Sequence, residues 1–519
     1  MNTYDFVVVG AGTAGCVIAS RLSDNQDLRV LLLEAGGDAG PDAMTMPAMW
    51  PALVGSGVDW GLQTVPQAGL DGAVLPYPRG KVLGGSSAIN AMAHLRADRS
   101  TYDGWLDAGA TGWGFDDLLP YFMRTESAHG RDPRFRGTEG PLTIERIPKV
   151  SPAAKAFFGA CQDRGYPVSG DLNGARSEGV SWYDRNIVGG VRQSAADAYL
   201  RPVLSRPNLT VHTGVLVTGL TVTRGRCDAV TYTDSTSEQR VVHAEREIVL
   251  CAGAIGSPQL LQLSGIGPAQ QLRQHGIDVI IDLPGVGANL ADHPLAMLVY
   301  SAAQPLPPVA SNHIDALAAV RNDARSTAPD AHLLFVDIPL PPPGRAVPEH
   351  GYSIVFSMLQ PHSRGSVRLA SSDPTAAPLI DPAFLTDERD VVFMLQAARA
   401  AREVGAADAL ASWREAEVVP GPGAASDEEM LAYLRHGVGS YFHPVGTCRM
   451  GTDGDAVTDT ELRVHGVEGL RVADASVMPS LPAANPNASV LAIAEKAADL
   501  IRATASPQMT SDSAAEPVR

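Results

Sequence analysis

The sequence predicts an α/β protein of two domains. Three observations support this: the chain has 519 residues, its first sixty alternate apolar strands with a glycine-rich turn and a helix, and residues 300–435 combine many prolines with alternating strand patterns. A chain of this length exceeds what one hydrophobic core usually serves. We therefore expect one domain built on a parallel sheet and a second, α+β domain with an antiparallel sheet.

Composition narrows the class of protein. The chain is 45% hydrophobic and 19% charged, as in globular proteins, and its formal net charge of −17 argues against binding to nucleic acid or to anionic membranes. The five cysteines have no paired spacing, which indicates reduced thiols and, with no signal-peptide pattern, a cytoplasmic location. No apolar run is long enough for a membrane span, and no His/Cys set has the spacing of a metal site.

The N-terminal segment YDFVVVGAGTAGCVIASRLS predicts a strand, a tight turn and a helix, and LRVLLLEAG predicts a second strand ending in Glu34. Gly10, Gly12 and Gly15 form the G-x-G-x-x-G pattern of dinucleotide-binding units. The first glycine permits the turn, the second lets the backbone approach a pyrophosphate, and the third lets the helix pack on the sheet. Glu34 is placed to hold ribose hydroxyls. The motif alone leaves open NAD, FAD or a purely structural unit.

Five further glycine-containing blocks follow the N-terminal unit. They are PRGKVLGGSSAINAMAHLR (78–96), EIVLCAGAIGSPQLLQLSGIG (247–267), DLPGVGANLADHP (282–294), GSYFHPVGTCRMG (439–451) and GLRVADASVMPSLPAANPNASVLAIAEKAADLIRA (469–503). In this order, from Tyr4 to about Ile501, the blocks resemble the glucose–methanol–choline (GMC) oxidoreductase family of FAD-dependent alcohol oxidases and dehydrogenases. Agreement of six ordered blocks is far more specific than one glycine motif.

The resemblance implies an FAD-binding, Rossmann-like domain that is discontinuous in sequence. It assigns FAD-binding parts to residues 1–150, 201–298 and 436–505, substrate-domain parts to 151–200 and 299–435, and a disordered tail to 506–519. The residues it implies at the cofactor are Gly10, Gly12, Thr13, Ala14, Gly15, Glu34, Ala35, Arg79, Val82, Gly84, Gly85, Ser86, Asn90, Ala91, Met92, Ala93, Val215, Ala252, Gly253, Asp474, Ala475, Pro486 and Asn487.

Three of these expectations are specific. Val215 matches the family's adenine-side valine, although a core strand position would explain it as well. Asp474 is expected to hydrogen-bond cofactor hydroxyls, with turn capping as the alternative. Ile89 stands where some members attach the flavin through a histidine, so FAD is expected to be held non-covalently.

The resemblance places His443 at the reactive face of the flavin. Oxidation of an alcohol removes a hydroxyl proton and a hydride, and an imidazole suits the role of base. Asn485 matches the second polar position, so the catalytic pair is His/Asn. Because an amide cannot act as a base, His443 alone is expected to carry the proton. The N-terminus of the closing helix should stabilise negative charge on the flavin.

The implied activity is oxidation of a primary alcohol to an aldehyde, with oxygen or a quinone-type molecule as electron acceptor. His94, Tyr441 and Phe442 are candidates for the substrate pocket, although His94 and His293 are both more often structural in such positions. The substrate stays open among aryl, furfuryl, aliphatic and pyridoxine-like alcohols and choline, and the low aromatic content of 6% tilts away from choline. A hydroxynitrile lyase on the same scaffold, or a flavin-binding protein without catalysis, remains an alternative. The oligomeric state is not predicted.

Overall fold

The structure, a computed structural model, describes residues 3–505 apart from 148, 235, 237, 308–311, 324, 341, 343 and 344. The predicted disordered tail, 506–519, lies outside the described residues. Within them the α-helices are α1 (Thr13–Leu22), α2 (Arg99–Asp107), α3 (Phe115–Thr125), α4 (Pro152–Asp163), α5 (Gly253–Leu263), α6 (Ala269–Gln274), α7 (Glu388–Ala406), α8 (Asp427–Gly437) and α9 (Asn487–Ala505).

The strands fall into two large sheets and several short pairs. In chain order they are β1 (Thr3–Val9), β2 (Val30–Leu33), β3 (Glu126–Ser127), β4 (Leu142–Thr143), β5 (Gly179–Trp182), β6 (Ile187–Val188), β7 (Val191–Arg192), β8 (Leu209–His212), β9 (Leu216–Thr223), β10 (Arg226–Thr233), β11 (Gln239–Leu250), β12 (Ile266–Gly267), β13 (Ile281–Asp282), β14 (Pro294–Ala302), β15 (Ile314–Val320), β16 (Ala331–Val336), β17 (Gly351–Met358), β18 (Ser366–Arg368), β19 (Leu379–Asp381), β20 (Arg414–Val419), β21 (Gly439–Ser440) and β22 (Leu470–Val472).

The first large sheet is Rossmann-like. Strands β8, β2, β1, β11 and β22 are parallel neighbours in that order. Strand β10 pairs antiparallel with β11, and β9 pairs antiparallel with β10. The register pairs Val9 with Leu33 and Leu250, and Leu250 in turn with Val472. Four strands therefore end at the same edge, which is where ligands bind in parallel α/β sheets.

The second large sheet is antiparallel, with the order β20-β14-β17-β16-β15-β5 and with β21 beside β14. Strands β15, β16 and β17 are buried along their whole length, and α4 and α7 pack against the sheet. This is the antiparallel sheet predicted for the second domain, and β5 comes from the predicted 151–200 contribution. The α/β fold class, with a discontinuous parallel domain and an α+β domain, is confirmed.

Three details differ from expectation. The segment RGSVRLAS, at 364–371, is one of the alternating strand patterns of residues 300–435, from which the large antiparallel sheet was expected. Its strand β18 instead pairs with β19, and Gly365 and Val367 bond to the backbone of Leu290 and Gly287. Strand β14 crosses the predicted boundary between 298 and 299. Strand β21 joins the second sheet although residues 436–505 were assigned to the first domain. The domain division itself stays a prediction.

A buried ion network fixes the segment that contains His94 and Arg96 and follows the loop at Gly84–Gly85. Glu126 accepts hydrogen bonds from Arg96 and, at 2.8 Å, from Nε of Arg136, whose Nη1 is 2.9 Å from Asp184. His94 also contacts Glu126, with 3.1 Å between Nε2 and the carboxylate. Burial would raise the pKa of Glu126, but the neighbouring cations and His94 hold it far below its ordinary value. Segments distant in sequence are thus joined by charge pairs that have little access to water.

Among the described residues, no helix combines the length and apolarity that crossing a bilayer requires.

Replacing Arg136 by Met should lower the free energy of unfolding by roughly 3 kcal/mol or more, because it leaves the buried Glu126 and Asp184 carboxylates short of a cation. The matched control is Arg134→Met. That arginine is paired with Asp132 but its side chain is 78% exposed, so its loss should leave the free energy of unfolding nearly unchanged. Thermal and denaturant unfolding of both variants measure the difference. Equal shifts would show that the buried network does not stabilise the fold.

Candidate active site

The first glycine turn, after β1, requires residues without side chains. Gly10 has φ +96°, which is the left-handed region, and a Cβ on Gly15 would lie 1.8 Å from the Gly10 carbonyl oxygen. Helix α1 begins immediately afterwards, and its N-cap residue Gly12 offers no side chain to the first N–H groups. Those donors are therefore left to a ligand or to solvent.

The second glycine loop packs directly on the first. The Gly84 N–H donates to the Ala11 carbonyl at 2.8 Å, and a Cβ on Gly85 would lie 2.7 Å from the Gly12 Cα. Two predicted cofactor segments, far apart in sequence, thus form one surface made largely of backbone. Ser86 continues the loop and accepts a hydrogen bond from the Gly80 N–H at 3.2 Å.

Glu34 braces the first turn. Its two carboxylate oxygens accept hydrogen bonds from the N–H groups of Ala11 and Gly36, each at 2.8 Å, and the next residue, Ala35, follows the end of β2. The Val215 N–H donates to the Glu34 carbonyl at 2.9 Å. Val215 and Glu34, both predicted at the adenosine end, therefore lie side by side.

The N-termini of α1 and α9 meet at the same edge. The Thr13 hydroxyl donates to Oδ1 of Asn487 at 2.8 Å, and Arg21 of α1 is paired with Glu495 of α9 at 2.7 Å. Ala14 lies in the first turn of α1, and Pro486 precedes α9. Two converging helix N-termini favour a negatively charged group between them.

Asp474 acts as a cap in this structure. One of its oxygens accepts from the Gly253 N–H at 2.8 Å and from Ser257, and the other accepts from the N–H and hydroxyl of Ser476. The carboxylate therefore joins the turn at Ala252–Gly253 to the turn that begins at Ala475. The capping role, the alternative considered for Asp474, is the one that the contacts display. A cofactor contact stays a prediction.

The remaining predicted cofactor residues cluster around the second glycine loop. The side chain of Asn90 accepts hydrogen bonds from the Met92 N–H and from Arg192, each at 2.9 Å, and Met92 has φ +59°. The carbonyl of Ala91 accepts from Asn312, and Ala93 pairs with Arg185. Val82 packs in a small apolar cluster with Ile89. These contacts fix the path of residues 82–93.

His443 and Asn485, the predicted catalytic pair, are in contact. His443 Nε2 lies 3.1 Å from Asn485 Nδ2, and on the other side of the ring Nδ1 lies 2.8 Å from Nδ1 of His293. Burial lowers the pKa of His443 well below its ordinary value, and His293, Arg79 and His332 lower it further. The imidazole is therefore neutral at neutral pH, as a base must be before it accepts a proton.

The backbone turn before His443 is held by specific contacts. Phe442 has φ +67°, which is uncommon for a large side chain, and its N–H donates to the Ser440 hydroxyl at 2.7 Å while its carbonyl accepts from Arg79 at 2.6 Å. The Phe442 side chain is 38% exposed. The turn thus directs His443 inward and Phe442 outward.

Asp292 anchors the same turn from inside. It accepts from the His443 N–H at 2.9 Å, from the Tyr77 hydroxyl at 2.6 Å and from the Ser440 hydroxyl at 2.5 Å. Burial raises the pKa of Asp292, and these donors together with Arg79 act in the opposite direction. The Asp292 carboxylate therefore positions the backbone of His443, whereas the ring of His443 is hydrogen-bonded to His293.

Tyr441 lies at the centre of three histidines. Its ring centroid is 4.3 Å from that of His443, 6.3 Å from that of His293 and 6.4 Å from that of His332. His332, on β16, has a pKa lowered to about 3 by burial. Tyr441 therefore lies beside His443, and its place in a substrate pocket stays a prediction.

His94, the third pocket candidate, is engaged elsewhere. Its ring contacts Glu126 in the buried ion network and its carbonyl accepts from Asn173 at 3.0 Å. A small space lined by Arg96, Asp98, Ser177, His332 and Ala484, among others, lies nearby. The contacts give His94 a structural role, and its place in a substrate pocket stays a prediction.

Sequence reasoning missed Asp292, Tyr77 and His332 at this site, and gave His293 a mainly structural role. Asp292 and His293 stand in the DHP end of the block at 282–294, which was quoted for the family resemblance only. His332 lies in an apolar strand, AHLLFV, that carries no motif. Within the described residues, no group of three His, Cys, Asp or Glu side chains is arranged to hold a metal ion.

The residues at the sheet edge fit FAD. A backbone surface at Gly12 and Gly85 that has no room for side chains, uncapped N–H groups at α1 and a second helix N-terminus suit a diphosphate. The buried Asn485 Oδ1 has no hydrogen-bond donor among the described residues, which leaves an acceptor free beside His443. Fold and site together define a dinucleotide-dependent oxidoreductase.

Comparison with protein families gives the identity of this class. Residues 4–295 match the N-terminal and residues 361–494 the C-terminal model described as GMC oxidoreductase. The chain belongs to the GMC oxidoreductase family, and it is an FAD-dependent oxidoreductase of that family. The resemblance found in the six sequence blocks is confirmed.

Individual relatives cover nearly the whole chain. It is 39% identical to human mitochondrial choline dehydrogenase over 96% of this chain and 90% of that protein, and 38% identical to oxygen-dependent choline dehydrogenase of Photobacterium profundum over 96% and 93%. Among solved structures, pyridoxine 4-oxidase from Mesorbium loti superposes with a TM-score of 0.92 at 39% identity, covering 96% and 98%. Aspergillus oryzae formate oxidase gives 0.90 at 28%, covering 97% and 98%.

Gly85→Ala should lose most of its FAD on desalting, because a Cβ 2.7 Å from the Gly12 Cα must push the two loops apart. Gly189→Ala is the matched control: its φ of +57° is close to the +52° of Gly85, but nothing lies within 4 Å of the added Cβ. Both variants therefore carry the same backbone strain. Flavin per mole of protein, measured after acid precipitation, compares them. Equal flavin content would contradict the requirement for close loop contact.

Proposed function

We propose that this enzyme oxidises a primary alcohol to an aldehyde, with His443 as the base. The observation that carries the proposal is the buried, neutral His443, whose Nε2 faces Asn485 at 3.1 Å. The names of the relatives support the reaction class, because choline, pyridoxine and aryl alcohols all bear a primary hydroxyl.

His443 and Asn485 have different roles at the hydroxyl group of the substrate. The alcohol O–H donates to His443 Nε2, while Asn485 Nδ2 donates to the alcohol oxygen and so stabilises negative charge that develops there. His443 removes the hydroxyl proton. When bound, FAD supplies the acceptor for the hydride that leaves the carbon, so that proton and hydride together account for the change from alcohol to aldehyde. The proton is held on Nε2 until it is passed to solvent or product.

We propose that the residues gathered at the sheet edge bind FAD. Gly12, Gly85 and the α1 N-terminus would hold the diphosphate, and Glu34 and Val215 would lie at the adenosine. Ile89 packs in an apolar cluster with Val82 and has no nucleophilic atom to bond to the ring. We therefore propose non-covalent FAD, which acid precipitation should release into the supernatant. Flavin that stays in the protein pellet would contradict this.

Charge at the site favours an uncharged substrate. Arg79 lowers the pKa of His443 through its positive charge, so a quaternary ammonium group placed beside this ring would be repelled. We propose a neutral aryl, heteroaryl or aliphatic alcohol in preference to choline. Oxygen and a quinone-type molecule are both proposed as possible electron acceptors. Admitting air to the reduced enzyme distinguishes them, because only an oxidase is then reoxidised rapidly.

The first experiment is anaerobic mixing of the holoenzyme with a panel of alcohols that includes choline, while the visible absorbance of the flavin is followed. Bleaching by a neutral alcohol, faster than by choline, is expected. His443→Ala should slow bleaching about a hundredfold or more because the base is lost, and it should retain FAD.

His436→Ala serves as the control for that variant, since His436 is an exposed residue of α8, and it should react like the wild type. A near-normal rate of flavin reduction in His443→Ala would contradict the assignment of His443 as the base. If no alcohol bleaches the flavin while a cyanohydrin is cleaved, the lyase alternative takes its place.

The pH dependence follows from the lowered pKa of His443. The base is active when unprotonated, so flavin reduction should stay constant from neutral pH down to below the ordinary histidine value of 6.5, and it should fall only when pH drops through the lowered pKa. Rapid-mixing rate constants over this range, at saturating alcohol, measure it. A rate that already falls at or above pH 6.5 would show that His443 is not held neutral.

A further inference from the structure

A continuous row of hydrogen bonds runs through two histidine rings. It starts at the Leu359 carbonyl, 3.0 Å from Nε2 of His293, continues at 2.8 Å from Nδ1 of His293 to Nδ1 of His443, and ends at 3.1 Å between Nε2 of His443 and Nδ2 of Asn485. His293 has no exposed surface. The contacts along this row allow the positions of the protons to be worked out.

The first link fixes the proton of His293. A carbonyl oxygen only accepts, so Nε2 must carry the hydrogen that it donates to Leu359. Burial is the largest effect on the ring and lowers the pKa of His293 to about 3, against the opposing effect of the carbonyls of Leu359 and Pro482. The ring is therefore neutral and has a single hydrogen. The other tautomer would turn the lone pair of Nε2 toward the Leu359 oxygen, which repels it.

The second link then fixes the proton of His443. With the hydrogen of His293 on Nε2, its Nδ1 has only a lone pair, so the hydrogen in the 2.8 Å contact must come from Nδ1 of His443. The neutral His443 ring has no second hydrogen, and its Nε2 is an open acceptor. Asn485 Nδ2, a donor, faces that atom. The two ends of the row, read independently, give the same tautomer.

We propose that His293 is a positioning residue that holds the proton of His443 on Nδ1, so that Nε2 is the atom that takes the proton of the alcohol. The inference rests on the proposed role of His443 as base. It differs from the usual arrangement, in which a carboxylate fixes the tautomer of a catalytic histidine. Here the nearest carboxylate, Asp292, binds the backbone N–H of His443 instead.

Because His293 is neutral, it affects how long His443 keeps a proton on its ring. When Nε2 of His443 takes the proton, its Nδ1–H still donates to His293. Among the described residues no carboxylate is hydrogen-bonded to the ring to stabilise the positive charge. His443 therefore gives its proton up again readily. The ring accepts the proton only while the alcohol loses its hydride, and it is neutral again for the next turnover.

Two variants of His293 separate its two hydrogen bonds. In His293→Asn the amide oxygen can take the place of Nδ1, so an acceptor for His443 is kept while the donation to Leu359 is lost. In His293→Gln the longer side chain can donate to the Leu359 carbonyl, but no acceptor stands at the Nδ1 position. The pair thus tests which of the two bonds matters.

We expect His293→Gln to slow anaerobic flavin reduction by about 10- to 100-fold, the range for losing a partner that fixes the tautomer and orientation of a histidine. His293→Asn should recover most of that loss, and both should retain FAD. The reverse order, with Gln harmless and Asn damaging, would show that His293 only tethers Leu359, and it would overturn the proposal. So would two variants with the wild-type rate.

Neutron diffraction of the wild-type holoenzyme gives a readout that does not depend on activity or on the folding of a variant. A deuterium is expected on Nδ1 of His443 and on Nε2 of His293, with none on Nε2 of His443. A deuterium on Nε2 of His443 in the resting enzyme would overturn the tautomer assignment. If only the His293 results fail, His443→Ala still decides the proposed function by itself.

Discussion

The approach of two backbone loops, at Gly12 and Gly85, is the constraint on which the rest of the site depends. A Cβ on Gly85 would lie 2.7 Å from the Gly12 Cα, so the loops can meet only where neither has a side chain. Their contact fixes the start of α1 on one side and the chain from Arg79 to Met92 on the other. Arg79 in turn holds the Phe442 carbonyl at 2.6 Å, one residue before His443. The geometry of the cofactor cradle and that of the base are therefore coupled.

The buried carboxylates of the site are bound away from the ring of His443, the proposed base. Glu34, Asp292 and Asp474 are all buried, and the contacts described for each are made to backbone N–H groups or hydroxyls. None of the three touches the His443 ring in the contacts described. The hydrogen-bond partners of the ring within the described part of the chain, His293 and Asn485, are uncharged. A base in such surroundings is neutral because of burial, and it acquires charge only when substrate supplies a proton.

The sequence was most informative where chemistry demands one residue type at one position. Gly10, Gly15 and Gly85 are needed for backbone reasons that a linear pattern displays, and the closing helix follows directly from its apolar spacing. Asn485 was predicted as a partner of His443, but the contact with His293 could not be found in this way. His293 reaches the ring through the pairing of β14 with β21, whose register is set by the whole second sheet. His332 is a single polar residue in an apolar strand, and only folding brings it to Tyr441. Asp474 was in the right place, yet its contacts are those of a cap.

The sheet order has a consequence for the making of this protein. Strand β1 pairs with β11, β11 pairs with β22, and the Thr13–Asn487 hydrogen bond joins residues 474 positions apart. During synthesis β1 must wait for β11, about half of the chain, before its second neighbour leaves the ribosome, and β11 must wait for β22 near the C-terminal end. Until then the apolar edges of these strands are open to wrong partners, as happens in large proteins with distant pairings. The site at the sheet edge is complete only after α9 has been synthesised, because Asn487 contributes to it.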